Sequence, residues 1–396
     1  MKRAILLFLI AGGIAAQTAA LEFGINLSDT TGLNGTNKTL NLSQTNTAEF
    51  FFAIPTGSFS SVYLSGEARF SALFPLKPKG KAVLIPLAQA FRLKRTDWSG
   101  TAALNGIGLQ WAVGRTSFNE YSTKILNGLF DGGKINVIVN HTDITFAAGY
   151  TGLTYKNDAK IRIDQDDTEQ LALKTKLLAP QRMFLSLSSS FNELIPSHTF
   201  GIDVLAQFDL LKQKTATHTQ YLIPYIHGKI GRNVSWKYWG AVQFGQDPQF
   251  FYSLASGLSM KYFNPDWLYF TVNGKLDWAA GDYDGTGAMR TFIPVTDLKH
   301  TTVADFKYRN ILTAGLTASV RPVQGLFTEL SYLMISIPNT QKQPVYTGSE
   351  LSGKITYSFY NDADISCTGG IFIPNKKVTG AYNLRWLTEL ACTFRL

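Results

Sequence analysis

The chain has 396 residues, 45% hydrophobic and only 16% charged, with a formal net charge of +9 and a mean hydropathy of zero. Zero mean hydropathy excludes a bundle of membrane helices, and the charged fraction sits well below the roughly 25% of an ordinary soluble domain. Two cysteines are too few for a disulfide scaffold, and the basic residues are scattered rather than clustered, which argues against a nucleic-acid surface.

The N-terminus reads as an export signal. Lys2 and Arg3 precede an apolar run from Ala4 to Ala16, and Thr18 and Ala20 supply small residues for cleavage before Leu21. The run is shorter than the roughly 20 residues of a permanent helical span. A signal peptide is expected over 1–20 and a single domain over 21–396.

From there the apolar residues recur with a period of two, the mark of β-strands. Strands are expected near 21–27 and 47–54, with the polar stretch 28–46 read as a loop. In 61–72, Val62, Leu64, Ala68 and Phe70 alternate with Ser61, Tyr63, Ser65, Glu67 and Arg69. Further strands are expected near 82–94, 104–114, 134–140, 142–150, 168–178, 183–191, 200–210, 219–230, 234–244 and 252–262. Clearer alternation returns at 267–278, 311–321, 326–336, 350–359 and 363–373, with Gly, Pro and Asn in the gaps. The last segment, 384–396, sets Trp386, Leu390, Cys392, Phe394 and Leu396 against Arg385, Glu389, Thr393 and Arg395.

Many segments are near ten residues long, as a tilted membrane strand requires, and no helical pattern separates them. The expected fold is all-β: a single antiparallel transmembrane β-barrel of 16–18 strands with short periplasmic turns and longer extracellular loops. Segment 384–396 then closes the ring against the strand near 21–27 and is the expected signal for the barrel-assembly machinery. Cys367 and Cys392 fall on apolar faces of the last two strands, either as small lipid-facing residues or as a cross-strand disulfide. The gap 279–309 is expected outside the membrane.

Trp111-Ala112-Val113-Gly114-Arg115 is followed by Gly128-Leu129-Phe130-Asp131-Gly132-Gly133, and later by Tyr150-Thr151-Gly152-Leu153. These blocks resemble a Gly-Arg … Phe-Asp-Gly signature of bacterial porin-like barrels of the alginate-export type. They also resemble uncharacterised spirochaetal outer-membrane barrels. The resemblance spans about 50 residues and implies a wide barrel lined by polar side chains. It does not extend to alginate, because the arginine-rich lining of those carriers is missing.

Charges are costly on the lipid side, so alternation assigns them to the lumen. The candidate lining is Glu67, Arg69, Arg92, Lys94, Lys237, Lys261, Lys275, Asp277, Arg321, Glu329, Lys354, Arg385 and Glu389. The segment 116–133, entered from Arg115, is a candidate constriction loop whose site residues are Arg115, Glu120 and Asp131. The mild basic excess points to a channel for small hydrophilic solutes with weak anion preference. The alternatives are a transporter of hydrophobic compounds of the fatty-acid type, which needs an N-terminal hatch, a closed barrel acting as an adhesin, and a soluble periplasmic β-protein.

Asp164-Gln165-Asp166-Asp167 and Asp282-Tyr283-Asp284-Gly285 lack the full calcium-loop spacing and read as solvated loop acids. His141 and Asp143 share a strand face, but no Gly-x-Ser-x-Gly elbow accompanies them. No catalytic residue, metal site or cofactor is expected. The expected surroundings are outer-membrane lipid of a diderm bacterium.

Overall fold

A computed structural model describes residues 21–77, 83–84, 91–158, 161, 163–173, 175–211, 216–247, 249–282, 288–338, 345–359, 362–375 and 383–396. The expected signal, 1–20, lies outside the described residues, as do 283–287 of the second acidic stretch.

The strands are β1 (Glu22–Thr36), β2 (Leu40–Gly57), β3 (Ser60–Lys77), β4 (Val83–Leu84), β5 (Phe91–Leu104), β6 (Ile107–Asn119), β7 (Asn127–Val139), β8 (Thr142–Tyr150), β9 (Arg182–Ile195) and β10 (His198–Asp209). They continue as β11 (His218–Ile230), β12 (Val234–Asp247), β13 (Gln249–Asn264), β14 (Phe270–Ala279), β15 (Ile311–Val320), β16 (Leu326–Ile337), β17 (Val345–Phe359), β18 (Ala363–Pro374) and β19 (Arg385–Arg395). Among the described residues, eighteen of these form a closed antiparallel barrel. The two-residue β4 is extra and pairs only with β3.

Closure is made by β1 and β19, in register from Asn26 opposite Arg395 to Thr36 opposite Arg385. Ile25 and Leu396 extend it with reciprocal backbone hydrogen bonds of 2.9 and 2.8 Å. Each of the eighteen strands thereby has a neighbour on both sides, as hydrocarbon demands.

Period-two alternation becomes two surfaces. Phe23, Leu64, Trp98, Phe146, Leu222, Leu276, Leu330, Ile355 and Phe394 stand exposed on the outside, a lipid-facing belt. Short connections such as Asn105-Gly106 gather at one end, where the start of β1 and Leu396 also lie. There Asn105 (φ 48°) and Gly106 (φ 82°) take the left-handed conformation that a two-residue hairpin needs.

Four expectations need correction. Residues 28–46, read as a loop because they are polar, are mostly wall, since β1 and β2 run from Glu22 to Gly57 around a short turn. The expected strand 168–178 instead overlaps helix α1 (Gln165–Ala172), which lies within one long β8–β9 connection. The acids Asp164 and Asp167 are not solvated: Asp164 caps α1, and both grip Arg182, which has no exposed side-chain surface. The gap 279–309, expected outside, is not presented outward: its described residues 288–309 fold into the barrel, as detailed below.

Cys367 and Cys392 are free. Cys367 faces Leu390, and Cys392 faces Ile365, so they are offset by one pair on the outer surface. Inside, an apolar cluster forms where the long connections enter. Phe118, Phe130 and Phe184 meet at centroid distances of 5.0–6.2 Å, each such pair contributing about 0.5–1.5 kcal/mol beyond its buried area.

Candidate functional site

The site is the lumen, and its shape is set by the 280–310 connection. Gln243 on β12 clamps Ile293 from both sides: its Oε1 accepts the Ile293 N–H at 2.9 Å, and its Nε2 donates to the Ile293 carbonyl at 3.0 Å. The Tyr221 hydroxyl donates to the same carbonyl at 2.6 Å. Farther along, Glu350 on β17 accepts the backbone N–H groups of Thr302, Val303 and Ala304 at 2.7–2.9 Å. Val303 lies over Gly370 of β18, where a Cβ would come within 2.5 Å of its side chain. Phe306 packs on Phe372 at 5.6 Å. The Tyr308 hydroxyl donates to the Trp278 carbonyl at 2.8 Å. The connection is thus fixed to β11, β12, β14, β17 and β18 by contacts that only a lumen-facing path can make.

A second, shorter segment, 120–126 between β6 and β7, meets it. The Thr296 N–H donates to the Ile125 carbonyl at 2.9 Å, and Ile125 and Leu126 are fully buried. The Glu120 carboxylate accepts the Ile125 N–H at 3.0 Å and the hydroxyl of Ser122 at 2.8 Å. Burial pushes the Glu120 carboxyl above its usual range even so. His300 of the long connection sits between the short segment and β15, with Lys124 Nζ 3.3 Å from Nδ1 and Thr313 Oγ1 3.0 Å from Nε2. Burial, reinforced by the Lys124 ammonium, pulls its imidazole down to about 4.

Of the expected lining residues, Glu67, Arg69, Arg92, Lys94, Lys237, Lys261, Lys275, Asp277, Glu329, Lys354, Arg385 and Glu389 lie on inward strand positions. Glu67 is buried between Lys94 at 2.7 Å and Arg69 at 2.9 Å, and Arg92 reaches Asp158 of the β8–β9 connection at 2.6 Å. Asp277 lies 3.5 Å from Lys124. Glu329 and Lys354 are directly opposed on β16 and β17.

Three assignments are corrected. Arg115 and Asp131 form a cross-strand pair at 2.8 Å on the outer face, on the same parity as the exposed Val113 and Ile135. Arg115 also donates to the carbonyls of Leu93 and Leu153, so the pair ties strands to a loop rather than narrowing a pore. The reason is length: β6 and β7 extend to Asn119 and Asn127, leaving only 120–126 as loop. Arg321 lies beyond β15, at the rim, with its guanidinium over the Tyr269 ring.

A pattern emerges in how the inward charges are used. Glu350 and Glu120 hold backbone N–H groups, Asp203 accepts the Tyr121 N–H at 2.8 Å, and Glu67 and Asp97 carry basic partners. Lys237, Lys261, Lys275 and Lys354 are exposed to the lumen, with no carboxylate at ion-pair distance among the described residues. Lys237 and Lys275 stand at one height, both opposite Ser259 on the strand between them, roughly 10 Å apart.

Below the inward segments a cavity of about 990 Å³ reaches the short-turn end. Ser61, Ser99, Ser186 and Ser188, Gln110, Asn136, Arg95 and Lys134 line it. Its roof is the Tyr121 ring, stacked flat on Tyr225 at 3.7 Å. Sequence reasoning missed Gln243, Tyr221, His300 and Lys124, since their roles depend on where a distant loop lies.

No family model and no curated protein matches the chain. In fold it is similar to Pseudomonas aeruginosa outer-membrane porins. OccK3 (OpdO) has a TM-score of 0.61 at 10% identity, covering 98% of this chain and 99% of that one. OpdQ has 0.61 at 11%, covering 95% and 98%. OccK2 (OpdF), in complex with glucuronate, has 0.60 at 11%, covering 95% and 98%. At such identities the likeness is one of fold.

Proposed function

We propose that this barrel is an outer-membrane channel through which small hydrophilic solutes diffuse, with a weak preference for anions. The observation that carries the reading is the unequal use of inward charge. The carboxylates are largely consumed in fixing loops and neutralising arginines, whereas Lys237, Lys261, Lys275 and Lys354 are left in water. A wall with free cations and tied acids raises the local concentration of anions. The inward segments narrow the lumen and make size a criterion of passage.

The fatty-acid alternative needs an N-terminal hatch, and residues 22–57 are instead built into the wall. The adhesin alternative needs loops presented outward, and the described residues 288–309 of the expected outer gap 279–309 are folded inward. Neither is favoured by these contacts. The alginate-export and spirochaetal resemblances contribute only the barrel class, because Gly114-Arg115 and Asp131-Gly132 serve a cross-strand pair on the outer face. Glucuronate, held by OccK2, is a small carboxylated sugar and therefore an apt trial solute for a lumen with free lysines.

In this reading the chain is exported by its N-terminal signal, folded by assembly machinery that reads Leu384–Leu396, and surrounded by outer-membrane lipid. Liposome swelling tests it. Protein-bearing vesicles should admit monosaccharides and uronates faster than larger oligosaccharides, and vesicles no leakier than protein-free ones would sink the proposal.

A further inference from the structure

On the outer surface, β1 and β2 break the apolar belt. Asp29 and Thr31 occupy the same outward parity as Phe23, Ile25, Leu27 and Leu33, which are exposed. Asn46 and Gln44, directly across from them, share the parity of Phe52 and Ile54. The polar patch therefore has apolar residues above and below it along its own strands. It is flanked by Leu390 and Phe394 of β19 and by Phe70 of β3. A belt of this kind is about 25 Å tall, so the patch sits near its middle.

The patch is only half satisfied from within. The Thr31 hydroxyl donates to Gln44 Oε1 at 2.5 Å, and Gln44 Nε2 donates to Asp29 Oδ2 at 2.5 Å. The second carboxylate oxygen of Asp29 and the carboxamide of the exposed Asn46 have no hydrogen-bond partner among the described residues. They lie in an outer groove of about 600 Å³ walled by Leu27, Ala48, Ala68, Phe70 and Phe394. Acyl chains can neither donate nor accept, so lipid leaves these groups unpaired.

We propose that this face is the contact between copies of the same chain in the membrane. What favours a second copy as occupant is complementarity. The patch offers an acceptor, Asp29, directly opposite a donor, Asn46, and each copy supplies what the other lacks. The groove's small Ala48 and Ala68 floor lets a neighbour's Phe70 or Phe394 seat beside the polar pair. Symmetric assembly is the usual outcome for a self-complementary patch. The proposal rests on the barrel spanning a membrane, not on its conducting.

The test takes the full chain, assembled in cells and extracted in mild detergent. Heat-modifiable migration first establishes that the barrel is folded. Native mass spectrometry should then show an assembly of two or more copies, and the variant combining Asp29→Leu, Gln44→Leu and Asn46→Leu should run as a single copy. A folded wild type of single-copy mass overturns the proposal, as does a triple variant that stays assembled. If the triple variant does not fold, crosslinking in intact membranes decides. With Cys367 and Cys392 replaced by Ala, Asn46→Cys should yield a covalent pair on mild oxidation, whereas Leu258→Cys, on the far side of the belt, should not. Equal yields at the two positions mean random collision and overturn the proposal.

Discussion

The carboxylate of Glu350, on the inner face of β17, accepts the backbone N–H of Val303 at 2.9 Å, and that contact decides which side of the barrel the β14–β15 connection occupies. The same carboxylate takes the neighbouring N–H groups of Thr302 and Ala304. Three parallel backbone donors on one wall-mounted acid make a latch. Replacing Glu350 by Ala strands three amides, each costing about 1–3 kcal/mol if no water replaces the acid. Glu350→Ala should give larger and noisier single-channel currents in an otherwise heat-modifiable barrel.

Charge reversal on the lysine row tests selectivity. Lys237→Glu with Lys275→Glu turns two free lumen cations into anions at one height. The ratio of anion to cation permeability should fall several-fold in a salt gradient, with little change in conductance at high salt, where screening is strong. An unchanged ratio would mean that the solute path avoids this row.

Acid should loosen the inward connection through His300. Its imidazole is held down to about 4 from an ordinary 6.5, so the docked loop prefers the neutral ring. At pH above 6.5 the ring is neutral whether docked or released, and no penalty arises. Between 6.5 and 4 the released loop takes up the proton first, and docking weakens by about tenfold per pH unit. Glu120 works in the opposite direction, since its raised carboxyl is easier to keep buried once protonated. Current noise should therefore rise on acidification towards pH 4, and His300→Gln should remove that rise while leaving Glu120 in place.

The buried guanidinium of Arg182 holds the β8–β9 connection over the barrel by reaching Asp164, Asp167 and Asp209. Removing it as Arg182→Met leaves three acids without their cation, at a cost of about 3–5 kcal/mol for such a broken network. Residues 151–181 should become sensitive to limited proteolysis from the long-loop side, while the barrel strands stay protected.

Phe394 lies outward, 52% exposed, between Leu27 and Ala363. Phe394→Ser, or loss of residues 394–396, removes an apolar belt residue or the final closing hydrogen bonds with Ile25. Either change should leave the chain unassembled in a fractionation of membrane-inserted protein.

The barrel was legible because a wall facing lipid on one side and water on the other must alternate, and the alternation survives in residues such as Leu276 beside Lys275 and Asp277. It failed where that rule relaxes. Residues 28–46 are polar because Asp29, Gln44 and Asn46 interrupt the belt, so wall was mistaken for loop. Residues 168–178 mimic alternation by chance, and their first five belong to a capped helix. Arg115 and Asp131 are expected inward because charge in lipid is costly, yet they neutralise each other, and Arg115 also donates to two carbonyls near the rim. The inward path of 280–310 was beyond reach, since nothing local in Ile293 or Val303 announces Gln243 or Glu350 as its partner.

Single-channel recording of the purified barrel in a planar bilayer under a potassium chloride gradient bears most directly on the reading as a channel. Discrete conductance steps are expected, with a reversal potential on the chloride side of zero. Silence from a folded, inserted protein would contradict conduction, and a potassium-selective reversal potential would contradict the role given to the free lysines.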